Sequence, residues 1–236
     1  MFRFGCLLLF YLIITCHTTA QELLDSDTNT KDRIIFVNDF NKLKVYSGIE
    51  IKLIPSDENK VIINGVDNMD VVAKIKRNTL KIRHKLDHLL NRTYTYVELY
   101  HNSSLDEISL YQGSTLKTDS VHKQTSVSIK VAEGSTMNFA FEGQKISSVV
   151  ITGGHLYLKG NATNHESAVN SGGSCEADSL STDLTRVSVT AGGLSYVRAS
   201  QLVESKVTAG GTIRIYGNPK KVVSKKTIGG KILEMN

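Results

Sequence analysis

The sequence has few cysteines, and their positions exclude a disulfide-stabilised fold. Cys6 and Cys16 lie in an N-terminal segment that we expect to be cleaved, so Cys175 alone of the three remains in the mature chain. One cysteine cannot close an internal disulfide, so packing and hydrogen bonds must hold the fold even in an oxidising compartment. Tryptophan is absent altogether, so the protein has no indole ring on which a bound sugar could stack.

Long apolar runs are also absent, with one exception at the N-terminus. Arg3 precedes an apolar run over residues 7–14, and residues 18–20 supply small side chains before a cleavage point. This arrangement is typical of a secretory signal peptide, and the run is too short for a transmembrane helix. We predict a signal peptide over residues 1–20 and a mature chain without a transmembrane helix. The mature chain is then exported to the periplasm, the outer-membrane surface or the extracellular space.

Cys16 offers an alternative to cleavage after Ala20, since a lipidated cysteine would anchor the mature protein in a membrane. A lipobox requires a small residue directly before the cysteine, and Thr15 occupies that position instead. Cleavage after Ala20 is therefore the preferred interpretation.

Sustained helical periodicity is missing as well, and strand-like alternation takes its place. Residues 21–33 are polar, and we expect them to form a flexible leader. Beyond them, β-branched residues alternate with polar ones between clusters of turn formers. We expect residues 34–236 to form a single all-β domain, with a strand-rich cap over residues 34–105 and a repeat region over residues 106–236.

The repeat region contains a glycine motif at nearly constant spacing. The last glycine of each motif falls at residues 113, 134, 154, 173, 193, 211 and 230, so one repeat is about 19 residues long. A unit of this length cannot bury its own apolar face and must stack on its neighbours. The spacing therefore predicts a β-solenoid of about seven coils, one end of which the N-terminal strands are expected to cover.

Alternation around each glycine indicates which side chains face inward. A valine lies four residues before the last glycine of successive motifs, and a small residue lies two before it. We expect both rows to face the interior, the small row being Thr152, Ser171, Ala191 and Ala209.

The third position after the glycine faces outward in this scheme. It holds Tyr157, Glu176, Tyr196 and Arg214 in consecutive coils. Aromatic and guanidinium groups in one outward row suit contact with a sugar or a protein, although ordinary half-exposed sheet residues would give the same pattern. Tyr157, Tyr196 and Arg214 are thus the candidate ligand-binding residues.

Several segments together resemble one protein family. Residues 43–53 (LKVYSGIEIKL) lead into residues 78–82 (NTLKI), and residues 215–220 (IYGNPK) precede residues 228–232 (IGGKI). They resemble the head GIN domain family, an auto-transporter adhesin family common in Bacteroidota, over about residues 36–234. The resemblance implies an exported, right-handed parallel β-helix-like fold, and it carries over no catalytic residues.

The sequence shows no catalytic or metal-binding constellation. Acidic residues of the repeats do not recur at matching positions in adjacent coils, which disfavours a carbohydrate-active β-helix enzyme. His84 and His88 would share one face of an extended segment but lack a third ligand. Cys175 is expected to face the core as a small apolar residue. We therefore expect a non-enzyme that uses no cofactor and no metal.

Positive charge is concentrated near the C-terminus. The net charge is +5, and much of it lies in Lys220, Lys221, Lys225, Lys226 and Lys231. A basic stripe suits nucleic acid, acidic glycan or an anionic membrane, but a solvated surface is the simpler interpretation. Because no aromatic residues interleave with the lysines, we expect no nucleic-acid partner.

These observations lead to one preferred function and two alternatives. The preferred one is a non-enzymatic binding or adhesive module that presents a solenoid face to a glycan or surface protein that the sequence does not identify. The alternatives are a structural scaffold of the cell envelope and, less favoured, a glycan-active enzyme. Ser120 and Ser179 each lie in an Asp-Ser-apolar triplet, which resembles an O-glycosylation sequon of Bacteroidota. The oligomeric state is left open.

Overall fold

The computed structural model describes residues 32–65, 68–85, 95–102 and 104–235. The expected signal peptide, Cys6, Cys16, almost all of the leader and His88 lie outside these residues. No helix within the described ranges is long and apolar enough to span a membrane. Apart from one short 3-10 helix, all regular secondary structure in the described part of the chain is strand, which confirms the all-β prediction.

The described residues form nineteen strands and one short 3-10 helix, Asn68–Asp70. The strands are β1 (Arg33–Phe36), β2 (Lys42–Val45), β3 (Glu50–Pro55), β4 (Lys60–Asn64), β5 (Val71–Lys76), β6 (Thr79–His84), β7 (Tyr96–His101), β8 (Glu107–Leu110), β9 (Thr115–Thr118), β10 (His122–Lys123), β11 (Ser126–Val131), β12 (Thr136–Val150), β13 (His155–Asn170), β14 (Ser174–Thr190), β15 (Leu194–Arg198), β16 (Leu202–Thr208), β17 (Thr212–Tyr216), β18 (Lys221–Thr227) and β19 (Lys231–Glu234).

Successive coils pair in parallel on both sides of the glycine corner. Before the corner, β8, β11, β12, β13, β14, β16 and β18 pair in that order, and we call this the pre-corner sheet. After it, β9, β12, β13, β14, β15, β17 and β19 form the post-corner sheet. The predicted β-solenoid of about seven coils is therefore confirmed between residues 107 and 234. Its right-handed sense stays a prediction.

Each corner is built from two successive residues with positive φ. In the pair Thr152 and Gly153, φ is 51° and 68°, and the other corners repeat the pattern. Two such residues in a row are the signature of a type I′ turn, whose second position favours glycine. The expectation that Thr152, Ser171, Ala191 and Ala209 face the interior is wrong. They occupy the first position of these turns and are exposed, because the turn rotates them out of the strand.

The second glycine of each pair has a different role from the first. A Cβ atom on Gly153 would meet nothing within 4 Å, whereas one on Gly154 would lie 2.5 Å from the Val131 carbonyl oxygen of the preceding coil. Gly153 is therefore required by its backbone conformation and Gly154 by the close approach of the neighbouring coil.

The interior is lined by rows of side chains that run from coil to coil. Val150, Val169, Val189 and Val207 form one fully buried row, as predicted. In a parallel stack, such in-register rows bury apolar surface continuously along the column, and this burial is the main source of its stability.

One part of the interior is polar. Ser148 Oγ lies 3.3 Å from His165 Nε2 and donates a hydrogen bond to Ser167 Oγ at 3.1 Å. His165 is 1% exposed, and burial lowers the pKa of its imidazole to about 4. The ring is therefore neutral inside the column at physiological pH.

The N-terminal strands extend both sheets and then close them. The strand β2 lies between β6 and β8, and β3 lies between β7 and β9, all in parallel. Beyond these coils, β5 pairs with β6, β4 with β7 and β1 with β4, all antiparallel. Arg33 of β1 donates hydrogen bonds to the carbonyl oxygens of Asn68 and Val71. These bonds link β1 to the start of β5. The prediction that N-terminal strands cover one end is confirmed.

Candidate functional site

The outward row predicted from the sequence exists in the structure. Tyr157 of β13 is in register with Glu176 of β14, which is followed by Tyr196 of β15 and Arg214 of β17. Their side chains lie on the outer surface of the post-corner sheet, because the flanking positions, such as Leu156 and Leu158, are buried. The predicted outward placement of the three candidate residues is therefore confirmed.

Two members of the row bind each other. The Arg214 guanidinium lies 5.0 Å from the centre of the Tyr196 ring, and its Nη1 donates a hydrogen bond to the Tyr196 hydroxyl at 3.0 Å. The ring of Tyr216 meets Tyr196 edge-on at 6.2 Å. Tyr196 is thus enclosed by its neighbours, whereas Tyr157 is 40% exposed. Tyr157 is therefore the member of the row whose ring is open to a ligand.

A shallow groove lies beside Tyr157. It has a volume of about 360 Å³ and is lined by Asn138, Tyr157, Leu158, Lys159, Glu176, Asp178 and Ser179. An aromatic ring, an amide, an amine, two carboxylates and a hydroxyl therefore face one concave surface. This combination offers both donors and acceptors next to an apolar ring.

A β-bulge shapes the groove. The register between β13 and β14 shifts after Tyr157, because β14 carries an extra residue there. Arg198 of the next coil donates a hydrogen bond through Nε to the Asp178 carbonyl oxygen, which holds the bulge in place. Bulges of this kind re-aim side chains and are frequent beside binding sites.

Sequence reasoning missed Asn138, Lys159, Asp178 and Ser179 as groove residues. The glycine interval lengthens from 19 residues before position 173 to 20 after it, but the 20-residue interval between 134 and 154 carries no bulge, so the spacing alone does not locate it. An extra residue in a regular repeat predicts a local irregularity, although it does not say which side chains turn toward it. Ser179 and Ser120 are both exposed, and their glycosylation stays a prediction.

A larger cleft of about 630 Å³ lies at the junction of the N-terminal coils and the repeats. The imidazoles of His101 and His122 form part of its wall, with ring centroids 5.5 Å apart. Gln124 Oε1 lies 2.8 Å from His122 Nε2, and burial lowers the pKa of His122. The described residues contain no group of three or more His, Cys, Asp or Glu side chains able to hold a metal ion.

Cys175 and His84, which the sequence singles out, are both buried. Cys175 is fully buried, and desolvation raises the pKa of its thiol to about 11, which confirms its place in the core. His84 is buried at the end of β6.

Several outward carboxylates form ion pairs. Glu166 lies 2.9 Å from Lys145, whose ammonium lowers the pKa of the carboxyl, and Glu204 pairs with Arg186 at 2.6 Å. These carboxylates are engaged by cations on the pre-corner face and do not converge on the groove.

A protein-family model with the description "Putative auto-transporter adhesin, head GIN domain" matches residues 39–219. No curated protein matches the chain. Among solved structures, a protein of Bacteroides fragilis titled a "putative adhesin" superposes with a TM-score of 0.78 at 19% sequence identity. That superposition covers 86% of this chain and 96% of the other.

Two structures from Parabacteroides are similar as well. One from Parabacteroides distasonis, titled "Putative lipid binding protein", has a TM-score of 0.68 and 16% identity over 89% of this chain and 98% of its own. A "putative adhesin" of Parabacteroides merdae has a TM-score of 0.65 and 17% identity over 87% and 96% of the two chains. At these identities the likeness shows a shared fold.

Proposed function

The chain belongs to the family described as "Putative auto-transporter adhesin, head GIN domain", and from this membership we propose that it is an exported, non-enzymatic adhesive module. Its task is to hold a ligand on the outer surface of the post-corner sheet. The solenoid contributes rigidity, because each internal coil is hydrogen-bonded to the coils above and below it.

The observation that carries this proposal is the groove beside Tyr157. The ring is 40% exposed and stands over polar groups from three successive strands, with Asn138 before it and Glu176 after it. Carbohydrates present C–H faces that pack on aromatic rings and hydroxyls that exchange hydrogen bonds with amides and carboxylates. A saccharide therefore suits the chemistry of the groove, and we propose a glycan as its ligand.

The scaffold alternative draws on another feature. A solenoid whose last strands leave their outer edges open offers a route to assembly, so an envelope protein that works as a structural unit would use the column and not the groove. Glycan hydrolysis is the less favoured alternative: Glu166 and Glu204 are ion-paired on another face, so it would depend on the two carboxylates of the groove, Glu176 and Asp178, flanking the scissile bond.

The test is binding to a broad glycan array by the predicted mature chain, Gln21 onward. We expect specific binding that falls at least about tenfold in Tyr157→Ala, because a central aromatic contact contributes much of the binding energy in such sites. The double variant Tyr157→Ala/Tyr196→Ala also removes the ring of the residue next to Glu176 in the following strand, and we expect it to bind no better than Tyr157→Ala. Tyr111→Ala is the matched control, since Tyr111 stacks on Tyr46 away from the groove.

A silent array combined with envelope fractionation or self-association would support the scaffold alternative. Glycan binding that survives in both Tyr157 variants would place the ligand on another surface. Turnover of a bound glycan would contradict the non-enzymatic assignment.

A further inference from the structure

Among the described residues, the last coil of the solenoid has a neighbouring coil on one side only. The strand β18 pairs with β16 alone, and β19 pairs with β17 alone. No other strand of the described residues runs along their outer edges, so alternate backbone N–H and C=O groups face outward there. We call this surface, made by residues 220–234 together with Lys206, the open end.

The open end is strongly basic. Its six lysines are all exposed, and no salt bridge joins any of them to a described acidic residue: Lys206, Lys220, Lys221, Lys225, Lys226 and Lys231. Lys206 of β16 lies directly beside Lys225 of β18 in the register of the last two pre-corner strands. Like charges in that position repel each other, so this arrangement does not serve the stability of the sheet.

A lysine also replaces an apolar residue of the interior. Lys226 is the register partner of Val207 and continues the buried row of valines. An ammonium group at this position ends the row of apolar side chains, so the apolar interior cannot extend past the last coil. A second copy docked end to end would bring two such clusters together, and the repulsion argues against self-association at this end.

Large apolar side chains surround the lysines. Ile228 is 81% exposed, Val223 is 49% exposed and Leu233 is 40% exposed. Ile228 is the first residue of its corner, with φ of 54°. A β-branched residue is strained in that conformation, and the six preceding corners of the repeat region carry other residues there: Gln112, Glu133, Thr152, Ser171, Ala191 and Ala209. Neither folding nor solubility explains an isoleucine at this tip.

We propose that the open end is a docking surface for an anionic phospholipid bilayer. Lysines near such a surface are attracted electrostatically, and an exposed isoleucine inserts among the acyl chains just below the head groups. Nucleic acid fits poorly because no aromatic residue lies in β18 or β19. An acidic polysaccharide would use the lysines but would gain nothing from Ile228.

Docking at the open end would orient the molecule. Tyr157 lies four coil steps from β19, through β14, β15 and β17. At about 4.8 Å per step, the groove would stand about 19 Å from the membrane. The two surfaces are separate, so failure of glycan binding leaves this inference intact, and the reverse holds as well.

The test is co-sedimentation of the chain from Gln21 onward with vesicles of equimolar phosphatidylglycerol and phosphatidylcholine, against pure phosphatidylcholine. Binding to the anionic vesicles alone, weakened by high salt, is expected. In Lys221→Gln/Lys225→Gln/Lys226→Gln the affinity should fall at least about tenfold, because each lysine at an anionic surface contributes substantially.

The matched control removes the same charge from the other end of the column. Lys74, Lys76 and Lys81 are exposed on β5 and β6, and Lys74→Gln/Lys76→Gln/Lys81→Gln should change vesicle binding less than about twofold. An equal loss in both triple variants would show that net charge alone drives binding and would overturn the assignment.

Ile228→Asn separates a bilayer from an acidic polysaccharide. Asparagine tolerates positive φ, so thermal stability should stay equal or rise while vesicle affinity falls about threefold or more. Binding to heparin would be unchanged by this variant. Absence of vesicle binding at low salt, or heparin binding without vesicle binding, would overturn the proposal.

Discussion

Arg214 covers the ring of Tyr196 and also donates a hydrogen bond to its hydroxyl, at 5.0 Å from the ring centre and 3.0 Å from the oxygen. One cation thus engages both the face and the rim of the same tyrosine in the adjacent strand. The pair links the outer surfaces of β15 and β17, and β15 is the neighbour of the groove strand β14.

The two contacts should be energetically coupled. In a double-mutant cycle with Tyr196→Phe and Arg214→Ala, we expect a coupling free energy of about 1 kcal/mol in urea unfolding, because the hydrogen bond and part of the cation–π contact depend on both partners. Tyr157→Phe combined with Arg214→Ala is the control, since those residues do not touch, and it should be additive.

The two glycines of a corner should respond differently to alanine. Gly153→Ala places a methyl group in open space at a positive φ and should cost about 1 kcal/mol. Gly154→Ala drives its methyl group against the Val131 carbonyl and should cost about 3 kcal/mol or more. Equal losses of unfolding free energy would contradict the distinction between the conformational and the packing role.

The stability of the column should fall in mild acid because of His165. Its folded pKa is about 4, below the unfolded value of about 6.5. The neutral ring therefore stabilises the fold fully above about pH 6.5, and this contribution is lost as the pH falls toward 4. The shift corresponds to about 3 kcal/mol at most.

The check is the unfolding free energy of His165→Gln at several pH values between 6.5 and 4.5. The variant should lose less stability than the wild type over this range, although the lowered pKa of His122 leaves part of the slope. His155→Gln, at an exposed position, should keep the full slope. An unchanged slope in His165→Gln would show that the buried ring does not titrate in this range.

The thiol of Cys175 should be unreactive in the folded protein. It is fully buried and its pKa is raised to about 11, so little thiolate exists at neutral pH and reagents cannot reach it. Labelling of the chain from Gln21 onward with a thiol reagent should be negligible in buffer and complete in urea, and Cys175→Ala should abolish it. Rapid labelling under native conditions would contradict the core placement.

The sequence predicts the repeat architecture well because one physical constraint recurs in every coil. Val150, Val169 and Val207 can be placed inside from spacing alone, since strands alternate and each coil repeats its register. The outward position of Tyr157 follows from the same rule.

Other features depend on contacts that local patterns do not encode. The enclosure of Tyr196 by Arg214 depends on rotamers in two different coils, and the groove depends on where the extra residue of β14 is accommodated. The wrong placement of Thr152 and Ala191 has a local cause, because the glycine spacing does not show which of the two glycines occupies the left-handed turn position.

The position of β2 and β3 in the stack has a consequence for folding. Their coil lies between β6–β7 and β8–β9, so both of its neighbours come later in the sequence, and β4 and β5 separate it from the first of them. As the chain emerges, residues 42–55 find their first parallel partners only in residues 79–101 and their second only in residues 107–118. Later coils, by contrast, can add one at a time. The slow, high-contact-order step of folding is therefore the assembly of the N-terminal coils. The repeats then fold onto them one coil after another.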